Sequence, residues 1–352
     1  MHIVGLGTAT PQQRYTKAEC WDALKTSAWF DRLDRRARMI AELVLTRDNG
    51  IEARRLAVDS LQDVFAIDPD TLHARFLANA PALATSAAKL ALEDAGIEAA
   101  DIDGVIVSTC TGYLCPGLSG YVVESLGLRS DVQALDLVGQ GCGAALPNWR
   151  MSEALLASGR CARMLSVCVE VSSAAMYLDN DPGVLISACL FGDGAGAAIL
   201  ATQPQSGKRR IAWKAAASQI EPAERDVLRF EQRQGMLRNI LTRAVPKLAA
   251  EHAQQVLQTV LAAEGLQQSD ITGWIWHAGG RDVLAALRER LGLSTVDLQR
   301  SAAILREYGN LSSAFVYFVL QAALADDAPG GFWWLASFGA GFSSHGALLE
   351  VD

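Results

Sequence analysis

The sequence predicts an α/β fold built from two like halves, and three observations carry that expectation. Short apolar runs of strand length alternate with longer runs of helical period. The second half of the chain repeats a pattern of the first. Of 352 residues, 50% are hydrophobic and 20% charged, which supplies a large interior.

The elements follow in order. Val105-Ile106-Val107-Ser108, Met164 to Cys168 and Trp274-Ile275-Trp276 read as buried strands. A helix over Ser86 to Ala95 closes at Gly96, where a left-handed residue ends helices. A second runs from about Ala144 to Ser158 and stops at Gly159. A third follows Arg281, with Val283, Leu284, Leu287 and Leu291 on one face and Gly292 as its stop. Strands alternating with helices point to largely parallel pairing.

The repeat is specific. Ala95-Gly96-Ile97 through Asp101-Ile102-Asp103-Gly104-Val105-Ile106-Val107 matches Glu264-Gly265-Leu266 through Asp270-Ile271-Thr272-Gly273-Trp274-Ile275-Trp276. The same register carries Cys142 to within one residue of Asn310. Each half ends on a similar segment, Phe191 to Gly196 and Phe338 to Phe342, expected as strands. Such a repeat implies two like units, residues 1–204 and 205–352, joined through the polar stretch Gln203 to Arg210.

Composition narrows the function. With 31 basic against 39 acidic residues the net charge is −8, and no basic run marks a nucleic-acid surface. Seven cysteines form no metal-type spacing, so free thiols without a metal are expected. Met1-His2-Ile3-Val4-Gly5 reads as a strand, not a leader, and no run has the length of a membrane span. These features place the protein in the cytoplasm, a reducing compartment.

Three residues carry candidate chemistry. Cys142 lies in Gln140-Gly141-Cys142-Gly143, between an apolar strand (Ala134 to Val138) and a helix. Small neighbours allow a sharp turn, and the positive end of a helix lowers a thiol pKa. His277 ends the strand Trp274 to Trp276 ahead of Ala278-Gly279-Gly280, where it can enter a crevice and pair with a thiolate. Asn310, in Tyr308-Gly309-Asn310-Leu311-Ser312-Ser313, heads an apolar helix. It is a helix cap or, given its place opposite Cys142 in the repeat, a neutral donor to a developing oxyanion. His2, His73 and His252 lack such contexts, and His345 ranks second.

This set resembles the type III polyketide synthases, the chalcone-synthase-like branch of the thiolase-fold condensing enzymes, over nearly the whole chain. Gly7-Thr8-Ala9-Thr10-Pro11 is similar to the family's opening strand and turn, and Gly50 to Arg55 to its basic entry segment. Gln140-Gly141-Cys142 is similar to its nucleophile turn, and Leu190-Phe191-Gly192-Asp193-Gly194-Ala195 to its gatekeeper segment. His277-Ala278-Gly279-Gly280 and Tyr308 to Ser313 are similar to its histidine and asparagine motifs, with Ala278 in place of a proline. The resemblance implies two duplicated halves in α-β-α-β-α layers, with Cys142, His277 and Asn310 catalytic. It implies Phe191, Cys110, Thr111, Cys115, Ser172, Ala175, Gly280, Phe338 and Gly339 at the substrate. Cys115 would reach toward a dimer interface.

The same resemblance implies malonyl-CoA and an acyl-CoA or acyl-carrier-protein starter as substrates, no cofactor, and a homodimer. Arg54 and Arg55 would meet the CoA phosphates. Departures at Cys110, Cys115, Ala175 and Phe338 to Phe342 remove plant-type pocket chemistry. The segments Glu170 to Tyr177 and Leu185 to Cys189 are most like bacterial alkylresorcinol and alkylpyrone synthases, which take fatty acyl starters. Starter delivery by a carrier protein or fatty-acid synthase remains open at this point. So do two rival readings: a single-round ketoacyl synthase, and a catalytically silent thioester-binding partner.

Overall fold

Alternating apolar segments become strands, and the computed structural model describes all 352 residues. The strands are β1 (His2–Ala9), β2 (Arg14–Thr16), β3 (Ala53–Arg55), β4 (Gly104–Ser108), β5 (Gln133–Leu137), β6 (Arg163–Glu170) and β7 (Gly194–Ala201). In the second half they are β8 (Ile211–Ile220), β9 (Leu228–Arg233), β10 (Met236–Leu241), β11 (Ile271–Trp276), β12 (Gly331–Gly339) and β13 (Ser343–Val351). The helices are α1 (Lys17–Lys25), α2 (Ala28–Arg32), α3 (Arg35–Thr46), α4 (Pro69–Ala95), α5 (Leu118–Leu126), α6 (Ala145–Ala157) and α7 (Pro182–Leu190). The remaining four are α8 (Val245–Glu264), α9 (Arg281–Leu291), α10 (Gln299–Tyr308) and α11 (Phe315–Ala325).

Nine strands run in the order β11-β12-β13-β8-β1-β7-β6-β4-β5. The two halves meet through β1 and β8, at His2 opposite Ala212. Reading outward from that join, β1-β7-β6-β4 mirrors β8-β13-β12-β11, so the repeat seen in the sequence is a repeat in space. Pairing is mixed: β4 runs parallel to β5 and β6, and β11 to β12, while β1-β7, β6-β7 and β12-β13 are antiparallel. That corrects the expectation of mainly parallel strands.

The layers follow from which faces are apolar. The long helix α4 lays alanines 80, 84, 87, 88, 91 and 95 on β1, β6 and β7. Small residues are needed there, since a Cβ at Gly7 would stand 2.2 Å from the Ala87 carbonyl oxygen. On the other half, α8 covers β8 and β13. Helices α6 and α11 lie between the halves and touch strands of both. Trp149 Nε1 of α6 donates to the Tyr317 hydroxyl of α11 (2.8 Å), tying the central layer together. Around that layer lies the main apolar core, including Trp149, Trp276, Trp333, Trp334 and Phe315.

Expected helix ends hold at Gly96, Gly159 and Gly292, but α4 begins 17 residues before Ser86, at Pro69. Phe338 to Phe342 is not a closing strand. It ends β12 and turns the chain into β13.

Candidate active site

Two turns of the central layer face each other. The first is Gly141–Gly143, a short 3₁₀ turn at the entrance to α6. Gly141 holds φ +56°, a left-handed value costly for other residues. Behind the turn stands the β12-β13 hairpin: Ser337 Oγ donates to the Gly143 carbonyl (3.1 Å). A Cβ at Gly143 would lie 3.1 Å from both the Gly339 nitrogen and His345 Cδ2.

The second turn is Gly309 to Ser312, at the entrance to α11. The Asn310 amide is oriented by two hydrogen bonds. Its Oδ1 accepts from the Ser312 N–H (2.8 Å), and its Nδ2 donates to the Gly279 carbonyl (3.2 Å). One amide hydrogen therefore remains to give. Ser312 holds φ +51°, strained for a non-glycine residue. Its hydroxyl stands 3.2 Å from Cys142 Sγ and 3.2 Å from a Glu170 oxygen. Contacts thus run from Cys142 through Ser312 and Asn310 to Gly279, two residues beyond His277.

His277 follows β11, with its N–H bonded to the Ala336 carbonyl (2.9 Å) and its ring edge-on to Phe315. Its Nδ1 is buried with no partner. A lone pair left unpaired costs less than an N–H left unpaired, which favours the proton on Nε2. A Cβ at Gly279, whose carbonyl accepts from Asn310 Nδ2, would stand 3.9 Å from that Nε2.

Beneath both turns lies a buried carboxylate that sequence reading missed. Glu170, at the end of β6, accepts from the Cys110 N–H (3.0 Å), the Thr111 hydroxyl (3.0 Å) and the hydroxyls of Ser312 and Ser313. Burial pushes its carboxyl above the usual range, and these donors oppose the rise. The cue that was available is a glutamate ending an otherwise apolar strand (Met164 to Val169).

A cavity of about 570 Å³ adjoins the nucleophile turn, reaching Gly141, Cys110 and Thr111. Its far wall is Leu72, Phe76 and Ala174, with Phe230, Met236 and Leu237 from the β9-β10 hairpin.

Known proteins resemble this chain over nearly its whole length. Residues 13–263 match the family model described as FAE1/type III polyketide synthase-like protein, and residues 213–343 that of chalcone and stilbene synthases, C-terminal domain. A 1,3,6,8-tetrahydroxynaphthalene synthase of Streptomyces peucetius subsp. caesius is 31% identical, over 99% of this chain and 92% of its own. The chain belongs to the type III polyketide synthase family. A 3,5-dihydroxyphenylacetyl-CoA synthase of Streptomyces toyocaensis is 29% identical over 99% of this chain and 89% of its own. The solved structure of PKS-I from the brown alga Ectocarpus siliculosus superposes with a TM-score of 0.90 at 25% identity, covering 99% of this chain and 98% of that one. The enzyme is therefore an acyltransferase-class synthase of the thiolase fold, and neither the single-round synthase nor the silent partner is favoured.

Several expected residues of this synthase fall in place and others do not. Cys110 and Thr111 line the cavity. Phe191 ends α7 and forms a bridge with Asn310. Gly280 opens α9, and Phe338 and Gly339 form the floor behind His277 and the nucleophile turn. Ala175 is not among the cavity-lining residues, whereas its neighbour Ala174 is. Ser172 has a buried, unpartnered hydroxyl, and Cys115 is exposed ahead of Pro116. Neither lines the cavity.

Arg54 and Arg55 are corrections. Arg54 is 6% exposed, and its guanidinium donates to the carbonyls of Ala188 (2.8 Å) and Phe191 (3.0 Å). Arg55 donates to the Gln12 carbonyl and to Glu307. A basic pair in sequence reads as solvent-facing, but β3 sends the first of them inward.

Burial works against the expected thiolate–imidazolium pair. Burial pushes the Cys142 thiol up to about 12, although the Ser312 hydroxyl favours the thiolate. Burial alone pushes the His277 imidazole down to about 3. Desolvation thus opposes the helix terminus and favours neutral thiol and neutral imidazole. No helix of the synthase is long and apolar enough to cross a membrane.

Proposed function

We propose that the synthase loads an acyl starter on Cys142, extends it with malonyl units, and cyclises the product to an alkylpyrone or alkylresorcinol. The observation that carries this is the hydrogen-bonded line Cys142–Ser312–Asn310–Gly279, whose nucleophile turn borders a partly apolar cavity at Gly141. A cavity of about 570 Å³ lies within the range of small-molecule sites.

The steps balance as follows. As sulfur attacks the starter thioester, the thiol proton passes to the departing carrier sulfur, so that Cys142 is acylated and the carrier leaves as its thiol. Malonyl-CoA then places its thioester oxygen between His277 Nε2–H and the free hydrogen of Asn310 Nδ2. The bond to the carboxylate breaks, CO2 leaves, and the electron pair remains as an enolate stabilised by those two donors. A neutral imidazole is the form suited to donate there. Phe191 supplies an apolar wall that disfavours the charged carboxylate over neutral CO2. The enolate carbon attacks the acyl-Cys142 carbonyl and returns the thiolate.

The substrates are CoA thioesters, with a carrier protein as a further starter donor, and no cofactor enters these steps. In place of Arg54 and Arg55, Lys17 and Arg281 suit the carrier's phosphates. Both hold the loop Arg47 to Gly50, four residues along the chain from His277 in the case of Arg281. Lys17 meets only neutral oxygens there, so its charge is available to an anion. A homodimer through β5 is supported by an edge strand paired on one side only, with Leu135 and the following Val138 exposed.

A second reading rests on two relatives named for small polyhydroxylated aromatics and on polar lining residues Thr109, Cys110 and Thr111. Here malonyl-CoA would be its own starter. Mass spectrometry of products across starters from acetyl to long-chain acyl, and with malonyl-CoA alone, separates the two. Pyrones or resorcinols from medium and long chains are expected. Full activity on malonyl-CoA alone, or a preference for acetyl or aromatic starters, would replace the first reading by the second.

A further inference from the structure

Arg54 raises a question of its own. It is a buried cation bonded to backbone carbonyls, and its one side chain touches both segments of the bridge that carries Phe191 and Asn310. Its Nη1 donates to Ala188 and Phe191 carbonyls at the C-terminal end of α7, where a cation is favourable. Its Nη2 approaches Cys20 Sγ (3.4 Å). Its aliphatic stem backs Gly309, where a Cβ would stand 3.1 Å from Arg54 Cγ and 2.6 Å from the Leu190 carbonyl oxygen. Gly309 holds φ +70° and directly precedes Asn310. The bridge itself is Asn310 N–H to Leu190 carbonyl (2.9 Å) and Gly192 N–H to Asn310 carbonyl (3.0 Å).

We propose that Arg54 is a positioning residue for the decarboxylation half-reaction, fixing the Phe191 wall and the Asn310 donor relative to each other. This rests on the reading of Phe191 and Asn310 given above. Cys142 is held from the other half by Ser337 and Gly339 against the glycines of its turn, and it meets the Asn310 turn only through Ser312. Removing Arg54 therefore disturbs one half-reaction and spares the other. Nη1 serves both carbonyls while Nη2 turns to Cys20 Sγ, a planar spread that the single nitrogen of a lysine does not reproduce.

Two half-reactions are read separately in the full-length enzyme: acylation of Cys142 by an acyl-CoA, by intact mass, and CO2 release from malonyl-CoA. Arg54→Met is expected to lower kcat for CO2 release about a hundredfold, the scale of an ångström-level misplacement. Acylation should stay within about twofold and so report that the variant is folded. Arg54→Lys should lose about tenfold in CO2 release, and it carries the test alone if Arg54→Met does not fold. Malonyl N-acetylcysteamine thioester, which has no phosphate, should show the same loss as malonyl-CoA. A loss confined to malonyl-CoA and appearing in KM would make Arg54 a phosphate ligand and overturn the proposal. Equal loss in both half-reactions, or none in either, would also overturn it. Asn310→Ala and Phe191→Leu serve as controls. If they leave CO2 release unchanged, the assignment of the decarboxylation site itself fails, whatever Arg54 does.

Discussion

The two halves of the synthase place a strand, a turn and a central helix in matching positions, yet one turn presents a thiol and the other an amide. Cys142 sits at the entrance to α6 and Asn310 near the entrance to α11. The first turn is shaped by glycines pressed against the β12-β13 hairpin of the opposite half. The second is shaped by Gly309, Ser312 and the bridge to Phe191, again from the opposite half. Duplication supplies equivalent positions, and contacts from the other copy decide their chemistry. The halves differ at their outer edges too. Strand β11 is almost wholly buried, whereas β5 leaves Leu135 exposed.

That division can be broken most sharply at the two turns. Cys142→Ala is expected to lose product formation by at least about a thousandfold. Asn310→Ala is expected to lose about 10²–10³-fold in CO2 release while Cys142 still acylates. Intact mass and CO2 assays read the two separately. Equal loss of both activities in both variants would show that the turns act as one unit.

The edge difference comes next. Leu135→Lys would bury one unpaired charge from each copy in a symmetric β5 interface, at about 3–5 kcal/mol each. Sedimentation should show monomers for the variant against the dimers proposed for the unaltered enzyme. Dimers that persist would move the interface elsewhere.

The protonation of the first turn is a smaller effect. With the thiol at about 12, iodoacetamide alkylation of Cys142 should climb about tenfold per pH unit from 7 to 9 without a plateau. Ser312→Ala should slow it further, because the hydroxyl favours the thiolate. A plateau below pH 8 would restore the thiolate–imidazolium pair.

The hairpin behind that turn gives the smallest effect. Burial pushes His345 down to about 4, so between pH 6.5 and 4 the unfolded chain binds a proton that the folded one does not. Stability is therefore lost as pH falls through that window, by about 1.4 kcal/mol per pH unit. Glu170 and Asp193, with raised values, act in the opposite direction. The comparison is thus made against His345→Gln, whose side chain can still bond Ser218. From pH 6.5 to 5 the unaltered enzyme should lose about 2 kcal/mol more than the variant in urea melts. Parallel losses would remove His345 as the cause.

Much was legible before any coordinates. Period and glycine stops marked β4, β6, β11, α6 and α9, because apolar spacing and positive φ are local properties. The repeat placed Cys142 opposite Asn310, and the motifs marked His277. Hidden from the sequence were the inward turn of Arg54, the carboxylate of Glu170 under both turns, and the cavity wall from β9 and β10. Each depends on partners more than a hundred residues away or on a hairpin whose placement no local pattern encodes.

Sequence alone named the candidate groups, a thiol, an imidazole and a carboxamide, and the elements that carry them, since side-chain chemistry and backbone preference belong to each residue. Only the tertiary structure set how far each is withdrawn from water. The same close packing that brings the two turns and the end of β11 together strips water from them, and desolvation favours neutral thiol and neutral imidazole against the ion pair that a helix terminus would promote.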